Sequence, residues 1–225
     1  MENIQLNTIY NEDCLETMKR MPDGFVDLVL TDPPYGIKYQ SNMRTASEKF
    51  GVLANDDNDM RLSAYPEVHR VLKDNSAVIV FCAWKNMATD YVALSELFDI
   101  KNVIVWSKGG GGMGDLKHSL ITDYELAIVA HKGKAPIRGK RLGSVWEVGK
   151  VTPSRMVHPT EKPGELIERL IEKYCDVGDT IYDPFMGSGT TAKACQDLGR
   201  NFIGSEISKE YCDIAERRLA QEVLL

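Results

Sequence analysis

The longest apolar run in the chain, AVIVFCAW at 77–84, covers eight residues. A membrane helix needs ~18, so no segment reads as a helix that spans a bilayer. The opening MENIQLNTIY carries neither the basic nor the apolar region of a signal peptide, and a cytoplasmic protein is the expectation. Cysteine is scarce and odd in number: Cys14, Cys82, Cys175, Cys195 and Cys212, with no C-x-x-C pair. That pattern supports neither a zinc ribbon nor a disulfide framework; reduced, mostly buried thiols and no metal site are expected. No internal repeat is visible.

Positive charge is also in deficit, with 27 Lys+Arg against 33 Asp+Glu and a net charge of −6. This argues mildly against a nucleic-acid partner, but the deficit is uneven. Residues 101–162 hold 11 Lys+Arg against 5 Asp+Glu, and the rest of the chain holds 16 against 28. A basic segment in an acidic protein is either a local docking surface for a polyanion or a solvated loop, and charge alone does not choose between them.

What is present is a chain of 225 residues, 43% hydrophobic and 27% charged, suited to one domain with a sizeable core. Short apolar runs rich in β-branched residues read as strands at Thr8–Tyr10, Val26–Leu30, Ala77–Phe81, Val103–Trp106, Leu126–Ala130, Thr180–Tyr182 and Phe202–Gly204. Helical spacing follows Pro163, placed as a first helical residue, at Leu166, Ile167, Leu170, Ile171 and Tyr174. It recurs at Tyr211, Ile214, Ala215 and Leu219 after a Ser208 cap, and Leu198-Gly199 reads as a helix end. Seven strands with helices between them imply an α/β doubly wound, mostly parallel sheet. The strands at 103–106 and 126–130 have no crossover helix between them and are expected to pair antiparallel. Residues 36–59, 107–122 and 133–160 fit no element, and long segments of that kind are usually functional or disordered.

Two strand ends carry unusual chemistry. After Thr180–Tyr182 comes DPFMGSGTTA, in which Gly187, Gly189 and Ala192 satisfy G-x-G-x-x-G/A, and Glu206 lies 19 residues beyond Gly187 where a ribose-binding acid belongs. A nucleoside-containing cofactor is therefore expected, and NAD, with an oxidoreductase activity, is one candidate. Asp183 stands against it, because a carboxylate beside the glycine turn repels a pyrophosphate. It suits S-adenosylmethionine, which has adenine, ribose and an α-ammonium but no phosphate, with Lys162 at a helix N-terminus to pair with the methionine carboxylate. Gly109, Gly111 and Gly114 also fit the pattern, but no helix or spaced acid follows, and they read as a loop.

The other strand end is TDPPYG at 31–36. Two prolines would end a strand, and an Asp is a common turn former, but neither accounts for Asp32 and Tyr35 together. With TDPPYG and DPFMGSGTT in one chain, the sequence resembles amino-directed DNA methyltransferases, in the β-type motif order. The resemblance covers most of the chain and implies a Rossmann-like methyltransferase sheet of seven strands with a circularly permuted motif order. It also implies a single catalytic domain over 1–225, with a small target-recognition insertion within about 107–160. HPTEKPGELIERLI (158–171) looks like the family's methionine-carboxylate motif, which gives Thr160 and Lys162 a cofactor role. The adenine contact falls on Asp13 and the Cys14 backbone, the cofactor wall on Phe185, and further cofactor contacts on Asp32, Asp183, Gly187, Ser188, Gly189, Thr190 and Glu206. Ser188 and Thr190 also stand where they would cap the helix.

Such an enzyme methylates an exocyclic nucleobase amine, whose lone pair is delocalised into the ring. Two acceptors aimed at its N–H protons would localise that lone pair, and Asp32 and the carbonyl of Pro33 are the candidates. Proline has a fixed φ and no N–H, so the turn would hold the acceptors still. Tyr35 would stack on the base, worth roughly 1–3 kcal/mol, once the base had flipped out of the duplex. Phosphate contacts are expected from Lys38, Arg44, Lys117, His118, Arg138, Lys140, Arg141 and Arg155. Asp rather than Ser at position 32 favours adenine-N6 over cytosine-N4 methylation. Double-stranded DNA is the implied partner; the short recognition segment adds a homodimer, and the family a cognate restriction enzyme.

Overall fold

The structure, a computed structural model, describes residues 3–35, 58–110, 117–150 and 161–221. In chain order these form β1 (Thr8–Tyr10), α1 (Cys14–Lys19), β2 (Val26–Thr31), α2 (Asn58–Val71), β3 (Leu72–Cys82), α3 (Met87–Ser95) and β4 (Asp99–Ser107). Next come β5 (Tyr124–Lys132), β6 (Val145–Glu147), α4 (Gly164–Tyr174), β7 (Thr180–Asp183), α5 (Thr190–Asp197), β8 (Asn201–Ser205) and α6 (Lys209–Ala220). One sheet holds all eight strands in the order β1-β8-β7-β2-β3-β5-β4-β6. Every expected strand is there. The expected seven become eight because Val145–Glu147 adds a three-residue edge strand parallel to β4, too short to carry a period of its own. As expected, β4 and β5 pair antiparallel; β5 is also antiparallel to β3.

The central strands are apolar on both faces because helices cover both. Leu28, Leu30, Ile79 and Ile181 pack with Leu166, Ile167, Leu170 and Ile171 of α4 and with Ala192 and Cys195 of α5. On the other face Val29, Val78, Val80 and Tyr182 meet Met18 of α1, Tyr65 and Val68 of α2 and Leu94 of α3. The four buried aliphatic residues of α4 recur at helical spacing, and fully burying each is worth roughly 1.5–3 kcal/mol. Pro163 is the N-cap of α4 rather than its first residue, its ψ of 135° keeping it extended. Helix α2 is not evident from the sequence, since Pro66 stands within it. The five cysteines are all buried thiols. Among the described residues no helix is long and apolar enough to cross a membrane.

Strand direction sorts the loops. The parallel strands β2, β7 and β8 finish at one end of the sheet, and β5, running the other way, starts there at Tyr124 opposite Ser107. Residues 108–123 and those after Glu147 therefore leave from that end. Residues 133–140, after the end of β5, lie at the opposite end, and by Ser144 the chain is back beside Val105 of β4.

Candidate active site

The two sequence motifs become neighbours because β2 and β7 are adjacent and parallel. Asp32 follows β2 and Asp183 closes β7, at the mouth of a cleft of about 1270 Å³ including its opening to solvent. Asp13, Cys14, Asp32, Pro33, Tyr35, Lys162, Asp183, Phe185, Gly187, Ser188, Thr190 and Glu206 all border it. The structure thus brings together nearly all of the proposed catalytic and cofactor residues. Thr160 lies outside the described residues, as do Lys38, Arg44 and Arg155.

Asp183 is buried and held by neutral donors. Its Oδ1 accepts from the Thr31 hydroxyl at 2.9 Å and the Phe185 N–H at 3.1 Å, and its Oδ2 accepts from the Thr191 hydroxyl at 2.7 Å. Burial pushes its carboxyl up to about 6, with those donors opposing. Asp13 caps α1, accepting from the Leu15 N–H at 2.8 Å. Glu206 accepts from the N–H groups of Gly187 at 2.9 Å and Ser208 at 2.7 Å, tying the glycine turn to the end of β8. The N-cap of α5 is Gly189, at φ 81°, with no side-chain cap. This corrects the expected capping by Ser188 or Thr190: the Thr190 hydroxyl instead accepts from Arg218 at 2.7 Å. A Cβ at Gly189 would lie 2.7 Å from that of Ala215, so the left-handed turn and the close approach of α6 both require glycine.

Asp32 meets a cation. Lys162, itself buried, gives its ammonium to Asp32 Oδ2, and the Tyr35 hydroxyl donates to Oδ1. The Tyr35 hydroxyl thus turns back to the carboxylate of its own turn, and the Tyr35 carbonyl accepts from Asn86 Nδ2 at 3.1 Å. The Lys162 ammonium also lies 3.1 Å from Glu125 Oε2, and Lys108 pairs with the other Glu125 oxygen. Burial raises the Asp32 carboxyl, with Lys162 opposing and Glu125 adding to it. Burial works against the Glu125 charge too, but Lys162 and Lys108 together outweigh it and hold that carboxyl below its usual range. Burial, then Asp32, raise the Tyr35 phenol well above its ordinary value, so the phenol keeps its proton and donates it to Asp32 in a hydrogen bond.

Among the described residues, six carboxyl side chains border the cleft, those of Glu12, Asp13, Asp32, Glu161, Asp183 and Glu206, against one ammonium, that of Lys162. That donor set disfavours a pyrophosphate and fits a cofactor carrying positive charge. Glu125, Thr31, Thr191 and Asn86 escaped sequence reasoning. The signal for Glu125 and Thr31 was a polar side chain at the end of an otherwise apolar strand.

The basic segment is divided. Lys117 and His118 are exposed at the cleft end of the sheet. Arg138, expected to meet phosphate, instead pairs with Asp176 at 2.9 Å and donates to the carbonyl of Tyr174, at the far end of α4, roughly 16 Å along the helix. Lys140, whose carbonyl accepts from Lys173 at 2.8 Å, and Arg141 belong to the same loop. The basic segment is therefore split by strand direction, which carries Lys101, Lys132, Lys134, Arg138 and Lys140 to the end of the sheet away from the cleft.

A family model described as DNA methylase, of the N6/N4 type, matches residues 26–217. The chain is 29% identical to the DNA adenine methyltransferase YhdJ of Escherichia coli K12, over 96% of this chain and 83% of that protein. It is 30% identical to the type II methyltransferase M.BglII of Bacillus subtilis, over 96% of this chain and 70% of that one. Among solved structures it is similar to the M1.HpyAVI–SAM complex, with a TM-score of 0.73, 27% identity and coverage of 94% of this chain and 98% of that one.

Proposed function

This chain belongs to the N6/N4 DNA methylase family, and from that premise we propose that it methylates the exocyclic N6 amine of an adenine flipped out of duplex DNA. The observation that carries the reading is the Asp32–Pro33 turn at the mouth of an acidic cleft. Bound there, S-adenosylmethionine supplies an electrophilic methyl group. Asp13, Cys14, Phe185 and Glu206 would hold its adenosine, and Asp183, Ser188, Gly189, Thr190 and Lys162, with Thr160 by its motif, the methionine end.

The reactive acceptors are the chain's own. Asp32 and the Pro33 carbonyl accept hydrogen bonds from the two N–H groups of the amine and localise its lone pair; after methyl transfer Asp32 takes the one departing proton or passes it to water. Tyr35 stacks on the base. The name of YhdJ supports adenine as the base. The whole chain acts as one catalytic domain. Its recognition insertion lies within about 107–160, with Lys117, His118 and Arg155 meeting phosphate and Lys38 and Arg44 supporting the flipped base. DNA as substrate makes the cytoplasm the compartment we infer. The type II name of M.BglII supports a cognate restriction enzyme, and the short recognition segment a homodimer, which sedimentation on DNA would test.

The test is to incubate the protein with unmethylated DNA and S-adenosylmethionine, then analyse the nucleosides by mass spectrometry, with Asp32→Ala in parallel. N6-methyladenine from the wild type alone is expected. N4-methylcytosine would overturn the base, and no methylated base despite S-adenosylhomocysteine binding would overturn DNA as the substrate.

A further inference from the structure

Both oxygens of Asp32 are engaged, Oδ1 by the Tyr35 hydroxyl and Oδ2 by the Lys162 ammonium. An incoming amine must share Asp32 with these two donors, and the ammonium draws most on its charge because its bond is charge-assisted. Lys162 cannot retreat to water, being only 5% exposed. A buried cation that leaves one carboxylate needs another within reach. Besides the methionine carboxylate proposed for Lys162, the protein itself offers Glu125: it is the second residue of β5, its Oε2 lies 3.1 Å from the Lys162 ammonium, and its other oxygen is anchored by Lys108 just after β4.

We propose that Glu125 is a positioning residue for the reaction, the second station that receives the Lys162 ammonium when the substrate amine takes Asp32. The inference rests on the proposed methyl transfer and adds a role for Glu125 to it. Asp32 is faced by Tyr35 from its own turn, Lys162 from the segment before α4, Glu125 from β5 and Asp183 from β7, with the Cys82 thiol at the end of β3. Glu125 is faced by Lys108 and Lys162. Along this chain the charges alternate from Asp32 through Lys162 and Glu125 to Lys108, so moving one ammonium between two carboxylates leaves the net charge unchanged.

Glu125→Gln takes the Glu125 charge away from Lys162 and leaves its ion pair with Asp32. Asp32 then ionises more readily, yet its acceptor oxygen stays covered. The plateau rate of DNA methylation is expected to fall about tenfold or more while the acid limb of the pH–rate profile moves to lower pH. S-adenosylhomocysteine affinity should stay within about twofold. Glu125→Asp, which keeps the charge, should recover most of the rate. Lys108→Met frees Glu125 to draw Lys162 off Asp32 and should move the acid limb the other way, to higher pH; this reading also stands if Glu125→Gln fails to fold. A Glu125→Gln plateau rate within twofold of wild type would overturn the proposal, as would a rate loss with the acid limb unmoved, which marks a merely structural role. Wild-type protein that methylates no DNA would overturn the proposed function itself, and that appears in the control before any variant is read.

Discussion

Two Asp-Pro turns end neighbouring strands of this sheet, TDPPY after β2 and YDPFM after β7, and the fold makes different groups of them. Asp183 is buried beneath two threonine hydroxyls and a backbone N–H, with no cation on it among the described residues. Asp32, half-buried at the cleft wall, holds an ammonium and a phenol. Their surroundings are even linked, because Thr31, which donates to Asp183, immediately precedes Asp32. The same local signal therefore takes its chemistry from whichever third element reaches it. Helix α5 brings Thr191 to Asp183, and the segment before α4 brings Lys162 to Asp32. One carboxylate is held by neutral donors, and the other by a buried ammonium and a phenol.

The sharpest break in this comparison is Asp32→Ala. Methyl transfer should fall at least about 10³-fold, or roughly 4 kcal/mol of barrier, while S-adenosylhomocysteine affinity by calorimetry stays within about threefold; loss of both together would mean the two carboxylates do one job. Asp183 should announce itself through pH. Its carboxyl is raised from 3.8 to about 6, so the folded protein holds a proton that the unfolded chain has already released. The corresponding stability is fully present below about pH 3.8 and is lost as pH rises through about 6, up to about 3 kcal/mol in all. Urea unfolding of the cofactor-free wild type and Asp183→Asn from pH 4 to 7 should show the wild type losing that much relative to the variant; parallel curves would remove the claim.

Asp183→Ala should weaken S-adenosylhomocysteine binding about 100-fold, or roughly 2.7 kcal/mol, measured on protein whose circular dichroism is unchanged. The smallest expected effect lies at the other end of the sheet. Arg138→Ala should cost about 1 kcal/mol of stability through its lost bonds to Asp176 and Tyr174 and leave DNA affinity within about twofold. Lys117→Ala should weaken DNA binding and flatten its salt dependence by about one phosphate contact. If Arg138 proved the stronger DNA contact of the two, strand direction would not be what divides the basic segment.

The residues show how far sequence reasoning reaches. Strand cores, the α4 stripe, the Ser208 cap and both Asp turns were readable because each rests on side chains within a few positions of one another. Helix α2 was hidden by Pro66, and β6 by its length of three residues. Arg138 was misplaced because a charge count has no direction, whereas β5 does. The sequence by itself determined which carboxylates end which strands and where the glycine turn opens a helix, since backbone preference and periodicity are local. Only the tertiary structure decided that Lys162, 130 residues from Asp32 in the chain, would sit between Asp32 and Glu125. That meeting depends on strand order and on a reversed β5, and burial then obliges each charge to find its partner across them.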